Sequence, residues 1–376
     1  MSRIDIHPVE NSKSAYYNDF LNLPFHIYDG SECWVPWINK DMADFVDRRH
    51  PIFEHSNGAF LVARKNGRPV GRIFVFRNGR YNRTHKMEYA HYYFMDFYDD
   101  PEVSANLAQA ALDWARKNGL KKLLGPMGFG GVTGGGTLIE GFDQRAAMTM
   151  MTYNHRYYGK HMEALGFEKY VDNYSFYLPT SAQLPGALRE AADNVMNKNG
   201  FRVLDLKSKS DLKAVAGEVV YVFMRTLSDH VGNYVLTDNE ISYLVRSLVQ
   251  VADPKLFKII AFKEKIIGFL FGFHDLSAAL IKNRGKLNPL GIYRLLREYK
   301  KSDWLLVNGM GILPEYQGTG ANAMLYAELE KTIRTHPKFK HLEMVQIAEN
   351  TVKMLSNVKT LMGKTHKIHR IYQHTV

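Results

Sequence analysis

The segment best suited to bind an anionic ligand runs from Gly311 to Leu325, with the sequence GILPEYQGTGANAML. It joins an apolar, strand-like run to a helix whose apolar positions recur every four residues. Residues Gln317 to Gly320 fall where the first helical turn begins, so their backbone N–H groups lack partners within the helix. These amides and the positive end of the helix dipole favour a phosphate, and glycines let a ligand approach the backbone. The segment predicts an anion site, with an ordinary glycine-containing turn as the alternative.

Other phosphate-binding motifs do not account for this segment. No GxxxxGK[ST] occurs, and no GxGxxG follows a strand here. A second glycine-rich stretch, GPMGFGGVTGGG at 125–136, has its glycines in neither register. We expect it to be a mobile loop over a cleft, because long loops in compact domains are often functional, with a plain surface connection as the alternative.

The pattern from Ile312 to Gly320, followed by a helix of small residues, resembles the acyl-CoA-binding loop of the GNAT acetyltransferase superfamily. In that family a bulge splays the preceding strand from the next one, the pantetheine arm enters the gap, and the loop amides hold the CoA pyrophosphate. The resemblance implies acetyl-CoA or another acyl-CoA as co-substrate, and no metal. Asn322 departs from the pattern, which usually has Gly or Ala there. The implied cofactor-binding residues are Met310, Gly311 and Ile312 at the acyl and pantetheine end, Gln317, Gly318, Thr319, Gly320, Ala321 and Asn322 at the pyrophosphate, and Asn350 beside the pantetheine.

Further segments resemble a bacterial group of tandem GNAT-like proteins. They include WVPWINKDM, NGRPVGRI and YNHRYYGKHMEALGFEKY in the first half and RGKLNPLG in the second. Together with the loop they touch most of the chain. The resemblance implies an α/β (α+β) protein of two tandem GNAT-like domains, each a mixed, mostly antiparallel sheet flanked by helices.

The spacing of apolar residues predicts the same order of elements twice. In the first half two β-rich runs flank an Asn-Gly turn at 66–67, a helix begins after Asp100, and the order is β-β-β-α-β-α-β. After the polar break LPTSAQLPG (178–186) a similar order recurs, which indicates a duplicated unit. We therefore predict domains at 1–180 and 186–376, with the acyl-CoA loop in the second.

The corresponding strand-to-helix junction of the first half is acidic. Asp99, Asp100 and Glu102 would stand where a pyrophosphate must lie. Like charges about 4 Å apart repel by on the order of 1 kcal/mol in water and by more when desolvated. Acidic side chains also stabilise a helix N-terminus themselves. We expect the first half to bind no CoA and to shape one side of the acceptor cleft.

Acyl transfer to an amine needs a base for the amine proton and often an acid for the leaving thiolate. Glu343 and Glu349, on one predicted strand, and His230, near the cleft, are candidate bases. Lys359 stands four residues before Gly363, where many GNAT enzymes have a tyrosine acid, and its charge could stabilise a thiolate. All four are also common as structural or surface residues. Four residues of one aromatic tract are candidates for the acceptor cleft: Tyr153, Asn154, His155 and Tyr158.

Composition excludes several other classes of protein. The chain has 376 residues and is 45% hydrophobic, so it can bury apolar cores, which excludes disordered and fibrous proteins. The single Cys33 excludes a disulfide framework and a cysteine-based zinc site. No apolar run approaches the roughly 18 residues of a membrane span, and the N-terminal residues lack a signal-peptide core. We expect a cytoplasmic protein with no membrane partner.

The charge points to an anionic ligand. Forty-nine Lys and Arg minus 38 Asp and Glu leave a formal charge of +11. Nucleic acid, an acidic membrane surface or a polyphosphate-bearing small molecule would each satisfy it. No nucleic-acid motif is present, so nucleic acid is not expected. The sequence thus predicts an acyl-CoA-dependent N-acyltransferase that transfers an acetyl or longer group to a small-molecule or peptide amine between the halves. The alternative is a non-catalytic ligand-binding or scaffold protein of the same fold.

Overall fold

The computed structural model describes residues 4–129, 133–228 and 230–376. Its 13 described strands form one mixed sheet, and both halves of the chain also contain helices. This arrangement confirms the predicted α/β class. The strands of the first half are β1 (Ile4–Val9), β2 (Ser56–Lys65), β3 (Arg68–Asn78), β4 (Tyr89–Phe97), β5 (Lys122–Gly125), β6 (Thr137–Glu140) and β7 (Glu168–Pro179). Its helices are α1 (Tyr17–Ile27), α2 (Asn39–Val46), α3 (Gly79–His85), α4 (Pro101–Lys117) and α5 (Tyr157–Ala164).

The second half repeats this plan with more helices. Its strands are β8 (Phe201–Val203), β9 (Phe257–Phe262), β10 (Lys265–His274), β11 (Trp304–Ile312), β12 (His341–Ala348) and β13 (Lys364–Thr375). Its helices are α6 (Gly186–Met196), α7 (Lys209–Leu227), α8 (Asp238–Val251), α9 (Ser277–Asn283), α10 (Pro289–Lys301), α11 (Ala321–Thr335) and α12 (Val352–Thr360). Short 3₁₀ turns cover Pro51–Glu54, Met148–Met150, Pro254–Leu256 and Pro314–Tyr316.

Local sequence signals explain several of these elements. The β2–β3 turn has Asn66 and Gly67 at φ +52° and +77°, the left-handed angles that a tight hairpin requires. The Asp100 side chain accepts a hydrogen bond from Glu102 N and caps α4. Capping boxes begin α7 and α8. The predicted hairpin and helix start are therefore confirmed.

The two halves exchange their last strands. The sheet order is β1-β2-β3-β4-β5-β13-β7-β12-β11-β10-β9-β8, and β6 pairs with β13 off this path. Thus β13 completes the sheet of the first half beside β5, and β7 completes that of the second half beside β12. The exchanged strands pair antiparallel with each other at the centre. The largest apolar core, mostly second-half residues, accordingly takes in Phe176 and Leu178 of β7.

In the parts of the chain that are described, no helix combines the length and the apolar character needed to cross a bilayer.

Candidate active site

The parallel strands β11 and β12 separate halfway along their length. Their pairing runs from Trp304 opposite His341 to Val307 opposite Met344 and stops there. Just beyond, β11 bulges against β10 and Gly309 takes φ +97°. Two residues along β12, Gln346 takes φ +52°. These two distortions hold a wedge open between the strands.

A cavity of about 290 Å³ occupies this wedge. Helices α7 and α8 cover it with apolar side chains, among them Val219, Phe223 and Leu248, and Met344 lines it from β12. Within the described lining, His230 is the one ionisable side chain. The cavity therefore suits an aliphatic group beside a single proton acceptor.

The first-half glycine-rich stretch forms another wall of the same cavity. Gly128, Gly134 and Gly135 line it. The Gln346 side chain clamps this loop, accepting from Gly135 N at 3.0 Å and donating to Gly135 O at 2.8 Å. The stretch is thus a cleft loop as far as it is described, while residues 130–132 lie outside the described part of the chain. The cavity is built from both halves.

The wedge leads to the N-terminus of α11. Gly318 and Gly320 take φ +77° and +93°, and no side chain caps the helix. The backbone amides of residues 318–322 have no hydrogen-bond partner among the described residues. A Cβ on Gly318 would meet nothing within 4 Å, whereas one on Gly320 would lie 2.8 Å from Val195 Cγ2. Five free amides at a helix N-terminus with an open approach can donate hydrogen bonds to an anionic group such as a phosphate.

Side chains around this turn fix its shape. Gln317 Nε2 donates to Ile312 O at 3.2 Å, and Thr319 Oγ1 donates to Tyr316 O at 2.7 Å. Lys353, in the first turn of α12, donates to Gln317 Oε1 at 3.1 Å. The turn is therefore held from within, and an ammonium group stands beside it. Sequence reasoning missed Lys353, because its approach depends on how α12 folds back towards α11.

The other implied cofactor residues lie along the same path. Met310 lines the cavity. Gly311 is buried under α7, where a Cβ would clash with Thr226 Oγ1. Asn350 is exposed in the turn after β12. Ile312 and Ala321 are buried, and Asn322 is half-buried in the first turn of α11.

The corresponding helix N-terminus of the first half is filled. Asp100 caps α4, and Lys65 Nζ donates to Asp100 at 2.7 Å and to Glu102 at 2.9 Å. Asp99 pairs with His161 at 2.8 Å. The hydrogen bond from Lys65 holds the pKa of Asp100 below its ordinary value. Carboxylates thus occupy the position that an anionic ligand would need.

Two candidate bases lie away from the cavity. Glu343 is fully buried, and its neighbour Met344 lines the cavity, so Glu343 points to the opposite face of the sheet. Its carboxylate accepts from Lys367 Nζ at 2.6 Å, and burial raises the pKa of Glu343 and lowers that of Lys367. Glu349 accepts from Asp172 N at 3.1 Å and pairs with Lys169 at 2.7 Å. Each carboxylate thus forms an ion pair with a lysine of the sheet, and neither lines the cavity.

The remaining two catalytic candidates, Lys359 and His230, differ in their position relative to the cavity. Lys359 is exposed in the last turn of α12 and does not line the cavity. His230 does line it, in the turn that follows α7. Of the four candidates, the structure brings His230 alone to the cavity.

The predicted acceptor residues surround a second cavity of about 160 Å³ in the first half. Tyr153, Asn154 and Tyr158 line it, and His155 bonds to Ile27 O at 2.9 Å nearby. Asn154 also bonds to the backbone N and O of Leu138, which fixes β6. Residues of 126–128, 133–136 and 149–152 are shared out between the linings of the two cavities. The four residues are therefore grouped together, but not with the amides of α11.

Comparison with other proteins gives two full-length similarities. No family model matches the chain. Protein YghO of Escherichia coli (strain K12) is 25% identical over 360 residues, covering 94% of this chain and 91% of that protein. Bacterial ceramide synthase of Caulobacter vibrioides (strain NA1000 / CB15N) is 24% identical over 379 residues, covering 98% of this chain and 97% of that protein.

Solved structures identify the fold. A tandem GNAT protein from the clavulanic acid biosynthesis pathway matches with a TM-score of 0.57 and 12% identity, over 99% of this chain and 98% of that one. A GCN5-related glucosamine N-acetyltransferase region of a fungal multi-domain GH3 β-N-acetylglucosaminidase matches with a TM-score of 0.57 and 13% identity, over 100% of this chain and 38% of that one. The chain has the tandem GNAT fold that its sequence motifs predicted.

Proposed function

We propose that this protein is an acyl-CoA-dependent N-acyltransferase with one CoA site, formed by its second half. The observation that carries the proposal is the continuous path from an open wedge between two parallel strands to five unpartnered amides at the start of α11. A thioester with a long, narrow arm and an anionic diphosphate fits both ends of that path. The first half has no equivalent because carboxylates fill its helix N-terminus.

The apolar cavity supports a long aliphatic chain on the acyl group or on the amine. An acetyl group would occupy a small part of about 290 Å³ lined largely by Val, Leu, Phe and Met. The full-length similarity to a bacterial ceramide synthase agrees with this choice, since a ceramide is the amide of a fatty acid and a long-chain amino alcohol. We therefore propose fatty-acyl transfer to a lipid-like amine, ahead of the acetyl transfer expected from sequence.

His230 is the proposed general base. The reaction forms a C–N bond and breaks the C–S bond of the thioester, while the amine loses a proton and the thiolate gains one. As the one ionisable side chain in the described lining, His230 can take the amine proton in its neutral form. We expect His230→Gln to lower kcat by about 10²–10⁴-fold with little change in acyl-CoA affinity. Stopped-flow release of free thiol measures kcat, and calorimetry measures the affinity.

A matched control separates this chemistry from a general disturbance of the cavity. Asn233→Ala removes a nearby polar lining residue that has no proton to exchange near neutral pH. It should keep kcat within a fewfold of the wild-type value. Equal losses in the two variants would mean that His230 positions the lining and does not accept the proton.

Binding and turnover are tested separately. Acyl-CoAs of increasing chain length should raise the melting temperature progressively, and a ligand at 100 times its Kd stabilises by about 2.7 kcal/mol. Thiol release should then require a long-chain amine and stay at background with short amines. No stabilisation by any acyl-CoA would exclude the CoA site.

Binding without turnover is the second candidate function. It is favoured by one observation: no tyrosine or cysteine lies in the described lining of the cavity to protonate a leaving thiolate. A scaffold protein would be stabilised by acyl-CoA, yet would release no thiol with any amine. The proposed enzyme would do both.

A further inference from the structure

The insertion between β10 and β11 presents an apolar surface to solvent. Five of the twelve large hydrophobic side chains that are exposed in the described chain lie within ten residues here, and they are 43–61% exposed. Scattered apolar residues on a surface are ordinary, but a cluster on one element indicates an interaction site. We call these residues the α10 face: Leu287, Leu290, Ile292, Tyr293 and Leu296.

The opposite side of α10 is fixed to the protein. Asn288 caps the helix by accepting from Gly291 N at 2.8 Å, and Gly291 is buried. One turn further, Leu295 packs against a small apolar cluster. The Tyr299 hydroxyl then donates to Asp253 at 3.0 Å. These contacts hold the inward side of α10 against the protein. The five side chains of the α10 face remain exposed in the described chain.

A dense positive charge surrounds the α10 face. Residues 282–301 contain seven Lys and Arg and a single acid, Glu298. Among the ion pairs that the structure describes, just one involves these cations, between Arg284 and Asp29 at 3.9 Å. The partner of this surface must therefore offer negative charge together with an apolar phase. The seven cations are Lys282, Arg284, Lys286, Arg294, Arg297, Lys300 and Lys301.

We propose that the α10 face docks on the surface of an anionic lipid membrane. Leu and Ile side chains would enter the boundary between headgroups and acyl chains, while the surrounding cations contact lipid phosphates. A nucleic acid would satisfy the charge but not the apolar side chains. A second copy of this chain, with its charge of +11, would bring two basic surfaces together in a symmetric dimer. Anionic lipid is the partner that fits both properties.

This docking differs from crossing a bilayer. The absence of a spanning helix in the described chain concerns insertion across the membrane, whereas an amphipathic helix lies in the plane of the interface. The expectation of no membrane partner rested on the lack of a spanning segment alone. The proposal stands on the surface of α10 and does not depend on the acyl transfer proposed above.

Vesicle sedimentation tests the apolar contribution. The full chain should sediment with vesicles of phosphatidylcholine mixed with phosphatidylglycerol, and stay in the supernatant with phosphatidylcholine alone. Ile292→Ser/Leu296→Ser should lower the partition coefficient by about tenfold or more, since two apolar side chains no longer leave water. The control Tyr98→Ser/Val251→Ser removes two exposed apolar side chains elsewhere and should sediment like the wild type.

The charge contribution has its own matched pair. Arg297→Gln/Lys300→Gln should weaken sedimentation severalfold and reduce its dependence on salt, because fewer cations face the headgroups. Lys198→Gln/Lys213→Gln removes the same charge from another exposed region and should have little effect. Circular dichroism checks that every variant is folded.

Two kinds of result would overturn the proposal. In the first, the wild type ignores anionic vesicles, or the α10 variants sediment as well as their controls. In the second, light scattering shows a wild-type dimer that the α10 variants convert to monomer, which would make this face an interface between copies. Stabilisation by acyl-CoA, measured without lipid, reports on the CoA site independently, so the two proposals can fail separately.

Discussion

At the ends of β4 and β11 the chain leaves the regular sheet in the same way. Each strand contains a residue with positive φ, Phe94 at +48° and Gly309 at +97°. Each also stops pairing with its parallel neighbour after a few residues, so both halves have a wedge and a cavity. They differ at the helix that follows. Asp100 caps α4 with its own carboxylate, whereas Gly320 precedes α11 and leaves the amides of its first turn open. The same wedge thus leads to free backbone amides only where the helix N-terminus stays uncapped.

The largest expected effect comes from placing a carboxylate at the open junction. Gly318→Asp adds a negative charge in open space beside the free amides, and we expect acyl-CoA affinity to fall by about 100-fold or more. Gly318→Asn has nearly the same shape and the same tolerance of the left-handed angle, without the charge. Calorimetry should show a much smaller loss for Asn. Equal losses would show that backbone strain, and not charge, controls the site.

The second prediction concerns the cavity of the second half. Ala216 lines it, whereas Ala214 lies on the exposed side of the same helix. We expect Ala216→Trp to fill part of the cavity and to weaken binding of long-chain acyl-CoA by about tenfold relative to acetyl-CoA. Ala214→Trp should leave the chain-length preference unchanged. The ratio of Kd values for the two thioesters is the measurement, and an unchanged ratio in Ala216→Trp would place the aliphatic chain elsewhere.

The third prediction tests whether the first-half junction binds CoA once its acidic side chains are removed. Asp99→Asn/Asp100→Asn/Glu102→Gln removes the acidic residues at the start of α4, together with the ion pairs that Lys65 makes there. We expect a small loss in the free energy of unfolding, because the lost ion pairs are exposed and an asparagine at position 100 still caps the helix. We expect no new CoA site, because no glycine at positive φ opens this turn. Calorimetry should still give one CoA per chain. A second equivalent would show that charge alone closes the first junction.

The last prediction concerns stability and the point where β4 and β5 separate. His91 lies at the last pair there, and Val307 holds the corresponding place in β11. Its ring nitrogens are buried without hydrogen-bond partners among the described residues, and burial lowers the pKa of His91 to about 3. The folded state thus keeps His91 neutral, whereas in the unfolded state this histidine binds a proton below about pH 6.5. The free energy of unfolding therefore falls as the pH drops from 6.5 towards 3.

His91→Val would therefore make the first strand resemble the second. Chemical denaturation should show a smaller loss of stability between pH 7 and 4 than in the wild type, by on the order of 1–3 kcal/mol. His7→Val, at a half-buried position in β1, is the control and should follow the wild-type curve. An unchanged acid response in His91→Val would assign the pH dependence to other buried histidines.

Local signals made much of this molecule predictable. The Asn-Gly turn at 66–67, the Asp100 cap and the QGTG turn each need a few adjacent residues, and the structure has all three. The exchange of β7 and β13 was not predictable, because it depends on pairing between strands far apart in the sequence. The same limit applies to the catalytic candidates. Strand alternation places Glu343 opposite Met344, but which face meets the cavity depends on where α7 and α8 pack.

The exchanged strands also bear on how the chain is made. During synthesis the first half leaves the ribosome before β13, the last strand of the second half. The edge of β5 therefore stays unpaired until β13 has been made. An unpaired strand edge is a template for aggregation, so the first half is prone to aggregate until β13 has been made. Once β13 docks, each half holds a strand of the other. Heating should then melt both halves in one calorimetric transition, and cutting the chain near residue 182 should not release two stable fragments.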